Sequence, residues 1–166
     1  AGIIIFLPTS AEISDSIFSN NFSNGLVGAI GVAGGEVSIT NTSITNNYAT
    51  HFSGIGSYIS TIDIVNSTIA ENVAFTNSEG TDDCVALEVT LDNMEDYDCT
   101  GGKAAAIGDL FQGNSTYTIT NSTISGNRAD DYAGAVMLLN GSTMVLNSVT
   151  VANNTAENYG GGLLSI

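Results

Sequence analysis

The stretch Val37-Ser38-Ile39-Thr40-Asn41-Thr42-Ser43-Ile44-Thr45-Asn46-Asn47 decides the fold, because the chain writes it more than once. Residues 62–72 (Ile62-Asp63-Ile64-Val65-Asn66-Ser67-Thr68-Ile69-Ala70-Glu71-Asn72) and 117–127 (Tyr117-Thr118-Ile119-Thr120-Asn121-Ser122-Thr123-Ile124-Ser125-Gly126-Asn127) follow the same pattern. The closing Asn acts as an anchor, recurring at Asn21, Asn47, Asn72, Asn127 and Asn154. The separations are 26, 25, 55 and 27 residues, the 55 reading as about two periods. Three places before each anchor stands Phe18, Ile44, Ile69, Ile124 or Val151, and eight before stands Ile13, Ile39, Ile64, Ile119 or Leu146. Six before stands Asp15, Asn41, Asn66, Asn121 or Ser148, and two after stands Ser23, Ala49, Ala74, Ala129 or Ala156. Seven after stand Gly28, Gly54, Gly134 and Gly161, with Gly80 one place late in the third repeat. Self-similarity at a period of roughly 20–50 residues marks a solenoid or array.

Inside the repeat the apolar period is two, as in Val37-x-Ile39-x-Asn41, Ile62-x-Ile64-x-Asn66 and Tyr117-x-Ile119-x-Asn121. That is the pattern of a half-buried strand. A second alternation follows the Gly, as in Gly134-Ala135-Val136-Met137-Leu138. Short strands joined by tight turns, about one period per coil, make an all-β parallel β-helix with coils stacked about 4.8 Å apart. Ile columns then fill the interior. The anchor column Asn21, Asn47, Asn72, Asn127 and Asn154 is expected to form a side-chain ladder, as asparagines do in cross-β stacks. The Gly column is expected at a corner needing positive φ or close approach. Residues 81–113 break the pattern and read as one degenerate coil with a protruding loop. The chain is therefore expected to be one segment, 1–166, of about six coils.

The composition agrees with stacking. Of 166 residues, 17 are acidic and 2 basic, a net charge of −15. Lys103 and Arg128 alone cannot neutralise a phosphate backbone, which excludes nucleic acid as a partner. No apolar run approaches the roughly 20 residues of a membrane span, so no membrane insertion is expected. A hydrophobic share of 43% argues against disorder. The opening residues Ala1-Gly2-Ile3-Ile4-Ile5-Phe6 lack the basic n-region of a signal peptide.

The columns resemble the polymorphic outer-membrane-protein type of β-helix repeat, in which a hydrophobic-x-x-Asn motif alternates with Gly-Gly-Ala-Ile. The first motif stands as Phe18-Ser19-Asn20-Asn21, Ile44-Thr45-Asn46-Asn47, Ile69-Ala70-Glu71-Asn72, Ile124-Ser125-Gly126-Asn127 and Val151-Ala152-Asn153-Asn154. The second stands as Ala1-Gly2-Ile3-Ile4, Val27-Gly28-Ala29-Ile30, Ala133-Gly134-Ala135-Val136 and Gly161-Gly162-Leu163-Leu164. The resemblance covers the chain outside about 81–113. It implies a right-handed coil and a secreted or surface-displayed stalk or adhesin.

Candidate sites follow from residue type. Sequons for N-linked glycans begin at Asn21, Asn41, Asn66, Asn114, Asn121, Asn140 and Asn153. An Asn/Ser/Thr-rich chain also generates sequons by composition. Asn21 belongs to the anchor column, so a sugar there conflicts with an inward ladder. Cys84 and Cys99 are the only cysteines, and in a secreted chain they read as a disulfide closing the acidic loop between them. Asp82, Asp83, Glu95, Asp96 and Asp98 are candidates for Ca²⁺ ligands, against the reading of a solvated acidic loop. Asp130-Asp131 beside Arg128, and Lys103 and His51, are the residues a polysaccharide-acting enzyme would use. Adjacent strand residues point to opposite faces, so the chain reads as a non-enzyme. The pairs Thr42-Ser43, Ser67-Thr68 and Ser122-Thr123 form a hydroxyl column, the basis of a lesser ice-binding reading. Both ends show the same repeat phase, so a whole number of coils is expected, either as a piece of a longer chain joined to neighbouring segments or as copies stacked end to end. The reading as a whole is an extracellular structural or adhesive glycoprotein, with a carbohydrate-active enzyme or glycan-binding module as the alternative.

Overall fold

The computed structural model describes residues 2–6, 9–76, 103–110 and 113–166. Within them every regular element is a β-strand, and every pairing is parallel between one turn and the next. Turn one holds β1 (Ile3–Phe6), β2 (Ser10–Ser14) and β3 (Ile17–Ser19). Turn two holds β4 (Ile30–Ala33), β5 (Glu36–Thr40), β6 (Ser43–Thr45) and β7 (Tyr48–Ala49). Turn three holds β8 (Ile55–Tyr58), β9 (Thr61–Val65), β10 (Thr68–Ala70) and β11 (Val73–Ala74). Turn four holds β12 (Ile107–Asp109), β13 (Thr116–Thr120), β14 (Thr123–Ser125) and β15 (Arg128–Ala129). Turn five holds β16 (Val136–Leu138), β17 (Thr143–Asn147), β18 (Thr150–Ala152) and β19 (Thr155–Ala156), and β20 (Leu163–Ser165) follows it.

Four sheets result, ordered β1-β4-β8-β12-β16-β20, β2-β5-β9-β13-β17, β3-β6-β10-β14-β18 and β7-β11-β15-β19. The solenoid therefore has five turns, not six. The reason is register. β9 pairs directly with β13, β10 with β14 and β11 with β15. No strand lies between them, so the 55-residue anchor gap is one period plus an inserted stretch, not two periods. Residues 103–110 and 113 belong to turn four rather than to a degenerate coil. Ile3 and Leu163 stand in one column of the first sheet five turns apart, so β1 and β20 share one phase of the repeat.

Alternation sets the core. Ile13, Ile39, Ile64, Ile119 and Leu146 stack in one column of the second sheet, and Ile30, Ile55, Ile107 and Val136 in one column of the first. Phe18, Ile44, Ile69, Ile124 and Val151 supply the third sheet. The middle members of these columns are wholly buried. A second, smaller core lies on the other face of the first sheet. There Val27, Phe52 and Ala104 roof Gly31, Gly56 and Gly108, and Ala133 continues their column in the cluster that holds Met137. A Cβ on Gly56 would lie 2.8 Å from Val27 Cγ2 and 3.2 Å from Phe52 Cβ, so glycine makes room for the roof.

The corners correct the reading of the Gly column. Gly28 aligns with Ser53 and Ala105, one place out of register from Gly54, which aligns with Ala29 and Ala106. Neither has positive φ; both are needed for close approach. A Cβ on Gly28 would meet Ser53 O at 2.6 Å, and one on Gly54 would strike Ala106 O. Positive φ occurs instead elsewhere, and in two columns it recurs at every turn. Asp15, Asn41, Asn66, Asn121 and Ser148 turn the chain from the second sheet to the third at φ of 48–55°. Asn20, Asn46, Glu71, Gly126 and Asn153 turn it again just before each anchor at φ of 55–66°. Left-handed backbone costs most L-residues about 1–2 kcal/mol, and Asn and Gly tolerate it best.

Excising residues 77–102 would place Ile107 nine positions after Asn72, the separation found from Asn21 to Ile30, Asn127 to Val136 and Asn154 to Leu163. That deletion is expected to keep the β-rich circular dichroism and to unfold within about 1 kcal/mol of the parent, the scale of a change in loop-closure length. Loss of cooperative unfolding would show that the turn count is wrong.

Candidate functional site

The anchor asparagines meet in one unbroken column. Asn47 Oδ1 accepts from Asn21 N at 3.1 Å and Asn21 Nδ2 at 2.8 Å. Asn72 Oδ1 accepts from Asn47 N and Nδ2 at 3.0 and 2.9 Å, and Asn127 Oδ1 accepts both Asn72 donors at 3.0 Å. Asn154 Oδ1 accepts from Asn127 at 3.0 and 2.8 Å. The remaining Nδ2 hydrogen of Asn47, Asn72, Asn127 and Asn154 goes to the carbonyl of Phe18, Ile44, Ile69 and Ile124 respectively. This explains the hydrophobic-x-x-Asn spacing: the apolar side chain enters the core while its carbonyl receives the next turn's carboxamide. The left-handed residue before each anchor swings the anchor N–H away from the strand ladder, and the next Asn side chain satisfies it. Asn47, Asn72 and Asn127 are fully buried, with every carboxamide donor and acceptor engaged.

A second ladder lies one corner earlier. Thr42, Ser67 and Ser122 turn inward and are buried. Each hydroxyl donates to the carbonyl two residues back, at 2.9, 2.9 and 2.8 Å. Each Oγ of Ser67 and Ser122 also accepts the N–H of the turn before, at 3.1 Å. Only the second residue of each Ser/Thr pair faces outward, so the pairs do not form one hydroxyl surface. The sequence supplied the signal for this ladder in the Thr42, Ser67 and Ser122 column, but not its inward direction.

The sequons divide in two. Asn41, Asn66, Asn121 and Asn153 stand exposed at the left-handed corners, while Asn114 and Asn140 are exposed near the corner between first and second sheets. Asn41 Nδ2 donates to Asp15 Oδ1 at 3.1 Å. Asn21 is half-buried and donates its carboxamide to Asn47. Cys84, Cys99, Asp82, Asp83, Glu95, Asp96 and Asp98 lie outside the described residues.

Arg128 sits where acids of neighbouring turns converge. Its Nη2 lies 2.8 Å from Asp130 and 3.1 Å from Glu157. Pairing of Ala129 with Ala156 stacks Asp130 directly on Glu157. Among the described residues this is the one column where two acids are neighbours, and the guanidinium offsets their repulsion. Asp131 is separated from this group and accepts from Asn158 Nδ2 at 2.9 Å. Lys103 is buried with Nζ 4.3 Å from the centre of the Tyr132 ring, and His51 is buried with Nδ1 2.9 Å from Thr50 Oγ1.

One polar group crosses the lumen without a sequence signal. Tyr117, in an otherwise apolar column, donates to Asp109 Oδ1 at 2.7 Å and contacts Ser57 Oγ. Ser57 donates to Ser115 Oγ at 2.9 Å, and Leu139 N donates to Asp109 Oδ2 at 2.8 Å. Burial, and after it the Asp109 carboxylate, pushes the Tyr117 phenol well above its ordinary range.

No family model, curated protein or solved structure matches the chain.

Asn72→Ala would strand donors on Asn47 and the Ile44 carbonyl in a dry interior, and should cost about 2–4 kcal/mol in denaturant unfolding. Asn66→Gly, at an exposed left-handed corner, should change stability by less than about 1 kcal/mol. Equal costs would refute the division between ladder and corner. For Tyr117 the raised folded value means its contribution is present below the unfolded value of about 10 and lost as pH rises above it. Tyr117→Phe should remove that alkaline loss while lowering neutral-pH stability by about 1–3 kcal/mol, since Asp109 loses a donor.

Proposed function

We propose that this chain is the shaft segment of an extracellular or cell-surface protein, structural or adhesive in role, wound right-handed as parallel crossovers are in about 98% of cases. The observation that carries the reading is the Asn column. The residue repeated most faithfully serves turn-to-turn bonding, with its three central members fully buried. A chain built this way gains length at a constant cost per turn, which suits a stalk. N-linked glycans on the exposed corners Asn41, Asn66, Asn114, Asn121, Asn140 and Asn153 would add solubility and contacts. A closed Cys84–Cys99 bridge belongs to the same extracellular reading.

The open strand edges at both ends would accept further turns, from a neighbouring segment or another copy. The alternative, a face acting on or binding polysaccharide, has the convergence of Asp130 and Glu157 on Arg128 in its favour.

The test is secretion of the chain from a eukaryotic host with glycopeptide mass spectrometry and a polysaccharide panel. Sugar on one or more of the exposed sequons, none on Asn21, and no depolymerisation is the expected result. Failure of the chain to be secreted, or secretion with every sequon bare, would overturn the glycoprotein reading. Depolymerisation lost in Arg128→Ala would favour the alternative.

A further inference from the structure

The chain contains two Asn-Gly pairs, Asn24-Gly25 and Asn140-Gly141, and both asparagines are exposed. Asn-Gly is the pair most open to intramolecular attack by the glycine amide nitrogen on the Asn side chain, because glycine has no Cβ to shield it. The fold treats the two pairs differently. Gly25 N donates to Ser23 Oγ at 3.0 Å, and Gly25 is half-buried. Gly25 O in turn accepts from Thr50 N at 3.3 Å and Thr50 Oγ1 at 2.9 Å, which pins the segment to the next turn. Gly141 is exposed, and its amide makes no hydrogen bond among the described residues. It sits at φ +86° in a tight turn closed by Ser142 N donating to Leu139 O at 3.0 Å.

We propose that Asn140 is a site of spontaneous succinimide formation and that Asn24 is protected from it. Gly141 N bonds to Asn140 Cγ as the Cγ–Nδ2 bond breaks. The nitrogen's proton leaves with Nδ2 as ammonia. Water then opens the ring at either carbonyl, giving Asp or isoaspartate, with no change of oxidation state. The product adds one negative charge and destroys the Asn140-Gly141-Ser142 sequon. Isoaspartate also lengthens the backbone in the turn that offers Ser142 Oγ to Ser115 N at 3.0 Å, so it loosens the contact between turns four and five. A glycan on Asn140 and this reaction exclude one another, since both use Nδ2.

The test does not depend on the extracellular reading, because it uses the 166-residue chain made in a host without N-glycosylation. The folded chain is aged in mildly alkaline buffer and mapped by peptide mass spectrometry with enzymatic isoaspartate labelling, beside the same chain in denaturant. The Asn140 peptide should convert faster than the Asn24 peptide in the folded chain by a factor of roughly 2–10 or more, the Boltzmann weight of at least one hydrogen bond. In denaturant the two should convert at similar rates. Ser23→Ala, which frees the Gly25 amide, should raise the Asn24 rate and leave Asn140 unchanged. Equal rates in the folded chain, or an Asn24 rate indifferent to Ser23→Ala, would overturn the proposal.

Discussion

The structure depends on how the backbone is satisfied where it turns. A parallel strand hands its N–H and C=O groups to the turns above and below, but a corner breaks that arrangement. At the anchor corner the N–H of each turn would be buried without a partner, at a cost of about 1–3 kcal/mol apiece. One carboxamide per turn prevents this by receiving that N–H, donating to its neighbour and donating to a strand carbonyl. No other side chain of that length offers two donors and a two-lone-pair acceptor without charge. Asn47, Asn72 and Asn127 are therefore as much part of the backbone ladder as the strands are.

The same requirement shapes the surface composition. Positions repeat about 4.8 Å apart along the axis, where like charges directly above one another repel. The described acids are accordingly dispersed, and the one stacked pair, Asp130 over Glu157, is held by Arg128. The sequons at Asn41, Asn66 and Asn121 have a folding cause as well. Asn suits the left-handed corner, the next hydroxyl belongs inside on Thr42, Ser67 or Ser122, and the one after it faces outward on a strand. Acceptor motifs arise wherever those three demands coincide, whether or not an oligosaccharide is attached.

Much of this was legible in one dimension because a solenoid maps sequence period onto space. The Ile columns, the anchor column and the parallel all-β class follow from spacing alone. So does the small residue two places after each anchor, which becomes the buried alanine cluster around Ala74 and Ala129. Function was less legible, because the faithfully repeated residues serve stacking rather than chemistry.

Tertiary structure decided what periodicity leaves ambiguous. A gap of 55 residues is compatible with two turns or with one turn and an excursion, and only the direct pairing of β9 with β13 separates them. A recurrent Gly signals either positive φ or crowding, and only the neighbouring carbonyls at Gly28 and Gly54 show that it is crowding. Tyr117 reads as one more core residue until Asp109 and Ser57 are found across the lumen. The sequence by itself determined which residues share a column, because equal spacing places them at the same point of every turn. What each polar and glycine column meets was decided by contacts between residues about one turn or more apart in the chain, because spacing sets which residues stack but not which groups face them across a corner or the lumen.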